Sequence, residues 1–142
     1  VLDRYWDVVE CNQAARRLFP SWLGSRTARS GRRANLLHYV FLEPAAQRQV
    51  VNWRQRSRRL VAEFRADTAG LRKDALRRSM VDELSASSPA FAVAWRSEDV
   101  LGRDGGERRF RQGRRIRTFE QVTLRAANHP EFKVVVLLGA SP

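Results

Sequence analysis

Arginine is the residue type that offers this chain the most chemistry. Of 27 basic residues, 25 are arginine, and they gather at Arg26–Arg33, Arg54–Arg59 and Arg103–Arg117, the last stretch holding seven. Guanidinium forks match phosphate oxygens, and a formal net charge of +12 supplies non-specific attraction to nucleic acid. The plainer reading is a solvated, arginine-rich surface, because no DNA-reading motif and no regular aromatic interleaving accompany the clusters. Other reactive side chains are sparse. Cys11, His38 and His129 are the chain's only cysteine and histidines, too few and too scattered for a recognisable metal site. A haem-binding reading would rest on His38 alone. His129, beside Pro130, reads as an exposed turn residue, and Cys11 as a small buried residue of a strand rather than a redox sensor. There is no G-x-S-x-G elbow, P-loop or G-x-G-x-x-G fingerprint, so hydrolase, nucleotide-dependent and Rossmann chemistries lack their hallmarks. The chain reads as a binding protein, not an enzyme.

Whatever it binds must be positioned by an ordinary globular core. One hundred and forty-two residues with 43% apolar content suit one domain spanning 1–142. A single cysteine excludes an internal disulfide framework and fits a reducing, cytoplasmic compartment. The longest apolar run, Val134–Leu138, is far short of the roughly 20 residues of a membrane helix, and nothing resembles a signal peptide. Since the chain opens on Val1 and enters structure at once, it reads as a piece of a longer protein.

The elements can be placed by pattern. Val1-Leu2 and Val8-Val9 flank the turn Asp3–Asp7, predicting a strand, a tight turn and a second strand. Asn12 is placed to cap Gln13–Phe19, and Asn35 to cap Leu36–Leu42, after an Arg/Ser/Gly-rich loop at Ser25–Arg33; Pro44 closes that turn or opens the next one. Trp53, Ser57, Leu60, Val61, Phe64, Thr68 and Leu71 share one helical face, predicting an amphipathic helix of about four to five turns. A further helix carries Leu76, Met80, Val81 and Leu84. Ser88-Pro89 then supplies an N-cap and first-turn proline for a short helix with Phe91 and Trp95 one turn apart. In the last third Phe110, Ile116, Phe119, Val122 and Leu124 alternate loosely with charged residues, and Val134–Leu138 suits a central strand. Turn signals lie at Asp104-Gly105-Gly106 and Asn128-His129-Pro130. The order is two strands, several helices and about three strands, an α+β fold with one antiparallel sheet of about five strands and helices packed on one face.

That order resembles a PAS domain, with VLDRYWDVVECNQAARRLF similar to the family's opening. Farther along, Asn35-Leu36-Leu37, Phe41-Leu42-Glu43-Pro44, Trp53, Arg65-Ala66, the run Glu83–Phe91, Trp95, Val100 and Arg109-Phe110-Arg111 resemble the ligand-binding domain of MmyB-like bacterial transcription regulators. The resemblance covers nearly the whole chain. It implies an XRE-type helix-turn-helix domain preceding this one, so that DNA is reached through that domain and not specifically through this chain. It also implies a fatty-acid-like effector and no other cofactor. The departures are local. Gln112-Gly113 stands where the family has His-Pro, Arg114-Arg115-Ile116-Arg117 is unusually basic, Phe119 replaces a tyrosine, and the Ser25–Arg33 loop is extended. They bear on the ligand's identity more than on the fold.

Helices crossing a curved sheet can leave an apolar cavity between the layers. The candidate lining residues are Trp22, Phe41, Trp53, Leu60, Phe64, Leu84, Phe91, Trp95, Phe110, Phe119 and Leu124, each of which would otherwise be ordinary core. A carboxylate head needs a cation. Arg65 is the candidate for that role, because it lies one position from Phe64 on the flank of the apolar stripe and the resemblance implies an arginine there; the alternative for Arg65 is an ion pair or a cap on nearby carbonyls, and His38 and Asn12 are lesser candidates. Two readings compete with an effector sensor: a ligand-free dimerisation module whose aromatics fill the core or a homodimer interface, and direct nucleic-acid binding through the arginines.

Overall fold

Asn12, Asn35 and Ser88 begin three helices, and a computed structural model of the chain shows each side chain accepting from the helix it opens: Asn12 from the Ala15 amide, Asn35 from those of Leu37 and His38, and Ser88 from that of Phe91. The structure describes residues 1–24, 33–97 and 106–139. Among the described residues the helices, in chain order, are α1 (Gln13–Leu18), α2 (Pro20–Leu23), α3 (Leu36–Leu42), α4 (Pro44–Gln49), α5 (Trp53–Asp67), α6 (Ala75–Ser87) and α7 (Pro89–Arg96), with a 3-10 turn at Ala69–Leu71. Prolines open α2, α4 and α7, where a missing amide is harmless. Pro44 therefore opens a helix rather than closing one. On α5 the face predicted from the spacing is the one that turns inward, with Ser57, Val61 and Phe64 buried. Among the described residues no helix is long and apolar enough to cross a membrane.

Three strands follow: β1 (Glu107–Gln112), β2 (Arg115–Ala126) and β3 (His129–Gly139), antiparallel in the order β1-β2-β3. The sheet is thus three-stranded among the described residues, not five-stranded. In place of the expected opening strands, Leu2 makes single bridges to Val8 and to Lys133 of β3. The reason is local. The Asp3 carboxylate accepts from the amides of Tyr5 and Asp7, and Trp6 takes a left-handed conformation at φ 67°, so the chain curls before either side can extend a ladder. Such a backbone is strained for tryptophan, and burial of the ring against Phe64 (5.3 Å between centroids, edge to face) holds it. Asn35 ties the same turn to α3, its amide donating to the Tyr5 carbonyl and the Asp7 carboxylate. Burial holds that carboxyl above its ordinary range, with the Asn35 bond offsetting part of the effect.

Two further expectations change. β3 pairs with β2 along one side and is bridged by Leu2 at Lys133 on the other, but the Val134–Leu138 run is not buried on both faces: Val134 and Leu138 are exposed, while Val135 and Leu137 pack on the core. His129 is exposed as expected but is the first residue of β3, with its ring 3.3 Å from Glu131; the turn is at residues 127–128. A hairpin turn that sequence reading passed over joins β1 to β2 at Gly113-Arg114, with Gly113 at φ 58°. The loop expected at Ser25–Arg33, Arg33 excepted, lies outside the described residues, as do Val100, Asp104 and Gly105.

Candidate ligand cavity

Strand parity decides which side chains meet the helices. On β1 the inward positions are Arg108 and Phe110; on β2 they are Arg117, Phe119 and Gln121. Registry places Arg108 opposite Phe119 and Phe110 opposite Arg117, so cations and rings alternate like a checkerboard. The rings of Phe110 and Phe119 are 5.9 Å apart, and the Arg117 guanidinium lies 5.1 Å from the Phe119 ring. Beside them Val135 and Leu137 of β3 complete a floor, partly apolar and partly cationic.

The wall opposite comes from Ala15 and Leu18 of α1, Phe19 at the junction of α1 and α2, Trp22 and Leu23 of α2, Tyr39 and Val40 of α3, and Leu60 and Arg56 of α5. Between floor and wall lies a cavity of about 500 Å³, within the range of small-molecule sites. Its aromatic wall is well fixed. Phe19 meets Phe110 edge to face at 5.0 Å, Trp22 stacks on Tyr39 at 5.1 Å, and the Tyr39 hydroxyl donates to Gln49, which in turn donates to the Leu18 carbonyl. Burial raises the Tyr39 phenol above its ordinary range, so it enters this site as a neutral hydrogen-bonding group. On the floor the Arg108 Nε donates to Gln121 and Arg117 donates to Gln112. Arg117 makes no ion pair among the described residues, so a bound anion would not have to displace a carboxylate from it.

Of the candidate lining residues, Trp22, Leu60, Phe110 and Phe119 surround this cavity. Phe41, Trp53, Phe64, Leu84, Phe91 and Trp95 are placed elsewhere, in the packing between helices. Phe41 meets Trp53 and Phe91 edge to face, and Phe91 stacks on Trp95 at 5.8 Å. Leu124 faces outward from β2 and is 55% exposed. Arg65 is also outside the lining. It donates to the carbonyls of Ala94 and Trp95 at the end of α7, with its guanidinium 5.1 Å from the Trp95 ring, which is the carbonyl-capping role. His38 faces Glu83 at 3.9 Å, and Asn12, though it borders the cavity, accepts from the helix it caps. No group of three or more metal-ligating side chains converges among the described residues. Sequence reading did not count Arg108, Arg117 or Gln121 among the lining residues, although it noted Arg117 in a basic segment; their signal was the period-two spacing they share with Phe110 and Phe119.

The family model for the MmyB-like transcription regulator ligand binding domain matches residues 1–142, the whole chain. The chain belongs to that family. No curated protein matches it, and no solved structure does. The family is one of ligand-binding domains of transcription regulators.

Proposed function

We propose that this domain senses a fatty-acid-like effector, held in the cavity between the sheet and α1–α3, and that occupancy modulates DNA binding by a helix-turn-helix domain of the same regulator. The observation that carries the reading is the cavity itself: about 500 Å³, largely apolar, with Arg108 and Arg117 on the floor. The acyl chain lies against Leu18, Val135 and Leu137, and the carboxylate reaches the guanidinium of Arg117. A PAS-like plan is supported by the bridges of Leu2, which extend the sheet order to Val8, Leu2, β3, β2, β1. Regulation requires only that the effector stabilise one arrangement over another by about 1–3 kcal/mol.

The test is mass spectrometry of the purified domain, comparing the native mass with an organic extract. A stoichiometric lipid acid is the expected result. An empty domain with no thermal shift across a fatty-acid panel would leave the reading without support. The head group is tested by Arg117→Gln, expected to weaken a fatty acid about tenfold while leaving its methyl ester unchanged, as a charge-assisted hydrogen bond to a carboxylate would require. Equal loss for both would remove Arg117 from that role.

Dimerisation has a separate basis. The face of the sheet turned away from the helices carries Val122 opposite Val136 and Leu124 opposite Val134, with Leu138 51% exposed. We infer that a second copy covers this face, because contiguous apolar surface on a sheet favours self-association. Leu124→Glu is expected to convert a dimer to a monomer in sedimentation velocity without lowering thermal stability; an unchanged sedimentation coefficient would place any interface elsewhere.

A further inference from the structure

The β1–β2 hairpin carries more cationic charge than the cavity uses, since only Arg108, Arg109 and Arg117 of its arginines border that space. From Arg108 to Arg117 the sequence RRFRQGRRIR has six arginines and no acid. The ribbon is anchored at its root, where Val50 bridges Phe110 and the Val51 amide donates to the Arg109 carbonyl. Beyond that anchor Arg111, Arg114 and Arg115 are all exposed, and none of the three pairs with an acid among the described residues. Registry spreads them around the tip: Arg111 sits opposite Ile116 on the outward face, Arg115 opposite Gln112 on the inward face, and Arg114 in the turn itself. Three cations brought within a few residues of one turn repel each other. No acid lies between Arg108 and Arg117 to offset that repulsion, the ribbon's two acids, Glu107 and Glu120, facing each other at its root, so the tip is suited to a partner of dense negative charge.

We propose that this hairpin tip is a phosphate-backbone contact for double-stranded DNA, made without reading sequence. Charge complementarity supports it: duplex DNA presents about one negative charge per 1.7 Å, and guanidinium forks match phosphate oxygens. Shape supports it as well, since a two-stranded ribbon is narrow enough to enter the major groove. The family to which the chain belongs places it in a regulator that works at DNA. Phosphate contacts position a protein without specifying a site, so the hairpin complements a separate sequence-reading domain and does not replace it.

The experiment is fluorescence anisotropy of a labelled 20-base-pair duplex of arbitrary sequence, titrated with the domain across a salt series. Three proteins are compared: the wild type, R111Q/R114Q/R115Q, and R72Q/K73Q/R78Q. The last removes the same charge from exposed positions around the start of α6. With each phosphate contact contributing about 0.9 to the slope of log Kobs against log salt, the hairpin variant should lose about 2.7 from the slope, and the control variant should keep it. All six positions are exposed, and R115Q alone, losing about 0.9, provides a milder variant should the triple one fold poorly. Equal loss in the two triple variants would reduce the effect to net charge and overturn the proposal. So would an unchanged slope in the hairpin variants. A third overturning result is hairpin-dependent binding to vesicles of phosphatidylglycerol and phosphatidylcholine with duplex binding unaffected, which would make the tip a membrane contact.

Discussion

Asp67→Ala is expected to destabilise the domain by about 3 kcal/mol, the order found when one partner of a buried ion pair is removed. Asp67 ends α5 and is the point where three other segments meet. One carboxylate oxygen accepts from Lys133 Nζ (2.9 Å) and Trp6 Nε1 (3.0 Å), and the other from Arg125 (2.6 Å). Lys133 sits over the Trp6 ring at 3.7 Å with only 9% of its side chain exposed. Removing Asp67 therefore strands a buried ammonium as well as breaking hydrogen bonds. Urea unfolding measures the loss, which should appear in heat as a fall in Tm of roughly 10 °C for a chain of this size. Adding Lys133→Met to Asp67→Ala should recover much of it, because no buried orphan charge remains and the half-exposed Arg125 can be hydrated. If Asp67→Ala alone changes stability by less than about 0.5 kcal/mol, the cluster is surface electrostatics of ordinary size.

The same lysine sets a pH dependence. Burial lowers its pKa below the ordinary lysine value, against the opposing pull of Asp67 and Glu63. In the window between that lowered value and the unfolded value near 10.4, the unfolded chain binds more protons than the folded one. Stability attributable to Lys133 therefore rises with pH through that window, and the cost of holding the charge is fully present below it. Lys133→Met should flatten this alkaline component of the stability profile.

Local chemistry was legible in the sequence to the extent that it acts over a few residues. Asn12, Asn35 and Ser88-Pro89 announce helix starts because a cap needs only its own first turn. The spacing on α5 announces Val61 and Phe64 as buried for the same reason. The cavity was legible only in part, because its lining depends on which faces the fold sets opposite each other. Phe64, Phe91 and Trp95 are as aromatic as Phe110 and Phe119, yet the first three meet other helices and the last two meet a space. Nothing within the α5 segment separates an arginine that caps α7 from one that faces a ligand, as Arg65 illustrates. The Asp67–Lys133 pair spans 66 residues and could not be read locally. Its one sequence trace is parity: Lys133 shares the inward phase of Val135 and Leu137, an unusual place for a lysine.

The largest effect on binding is expected from the length of the acyl chain and from plugging the space that holds it. Each methylene moved from water into the cavity contributes about 0.8 kcal/mol, so four added methylenes should tighten binding about 200-fold until the space is filled. Affinity that climbs with chain length and then levels off is the signature of an enclosed site, whereas adsorption to an open apolar face continues to climb. Ala15→Phe, entering from α1, and Leu60→Trp, entering from α5, put bulk into the same space from different elements. Either should weaken a long-chain acid at least 100-fold by calorimetry, because the acyl chain and the new ring cannot occupy one volume. Both variants should keep a cooperative thermal transition, since an unfilled cavity absorbs added side-chain volume with less strain than a packed core does. Cys11 gives an independent readout: it borders the cavity and is the chain's only cysteine, so bound acid should slow its reaction with a maleimide. If both plugged variants bind with wild-type affinity, the effector lies outside this cavity, and the exposed face bearing Leu124 and Leu138 becomes the next surface to map.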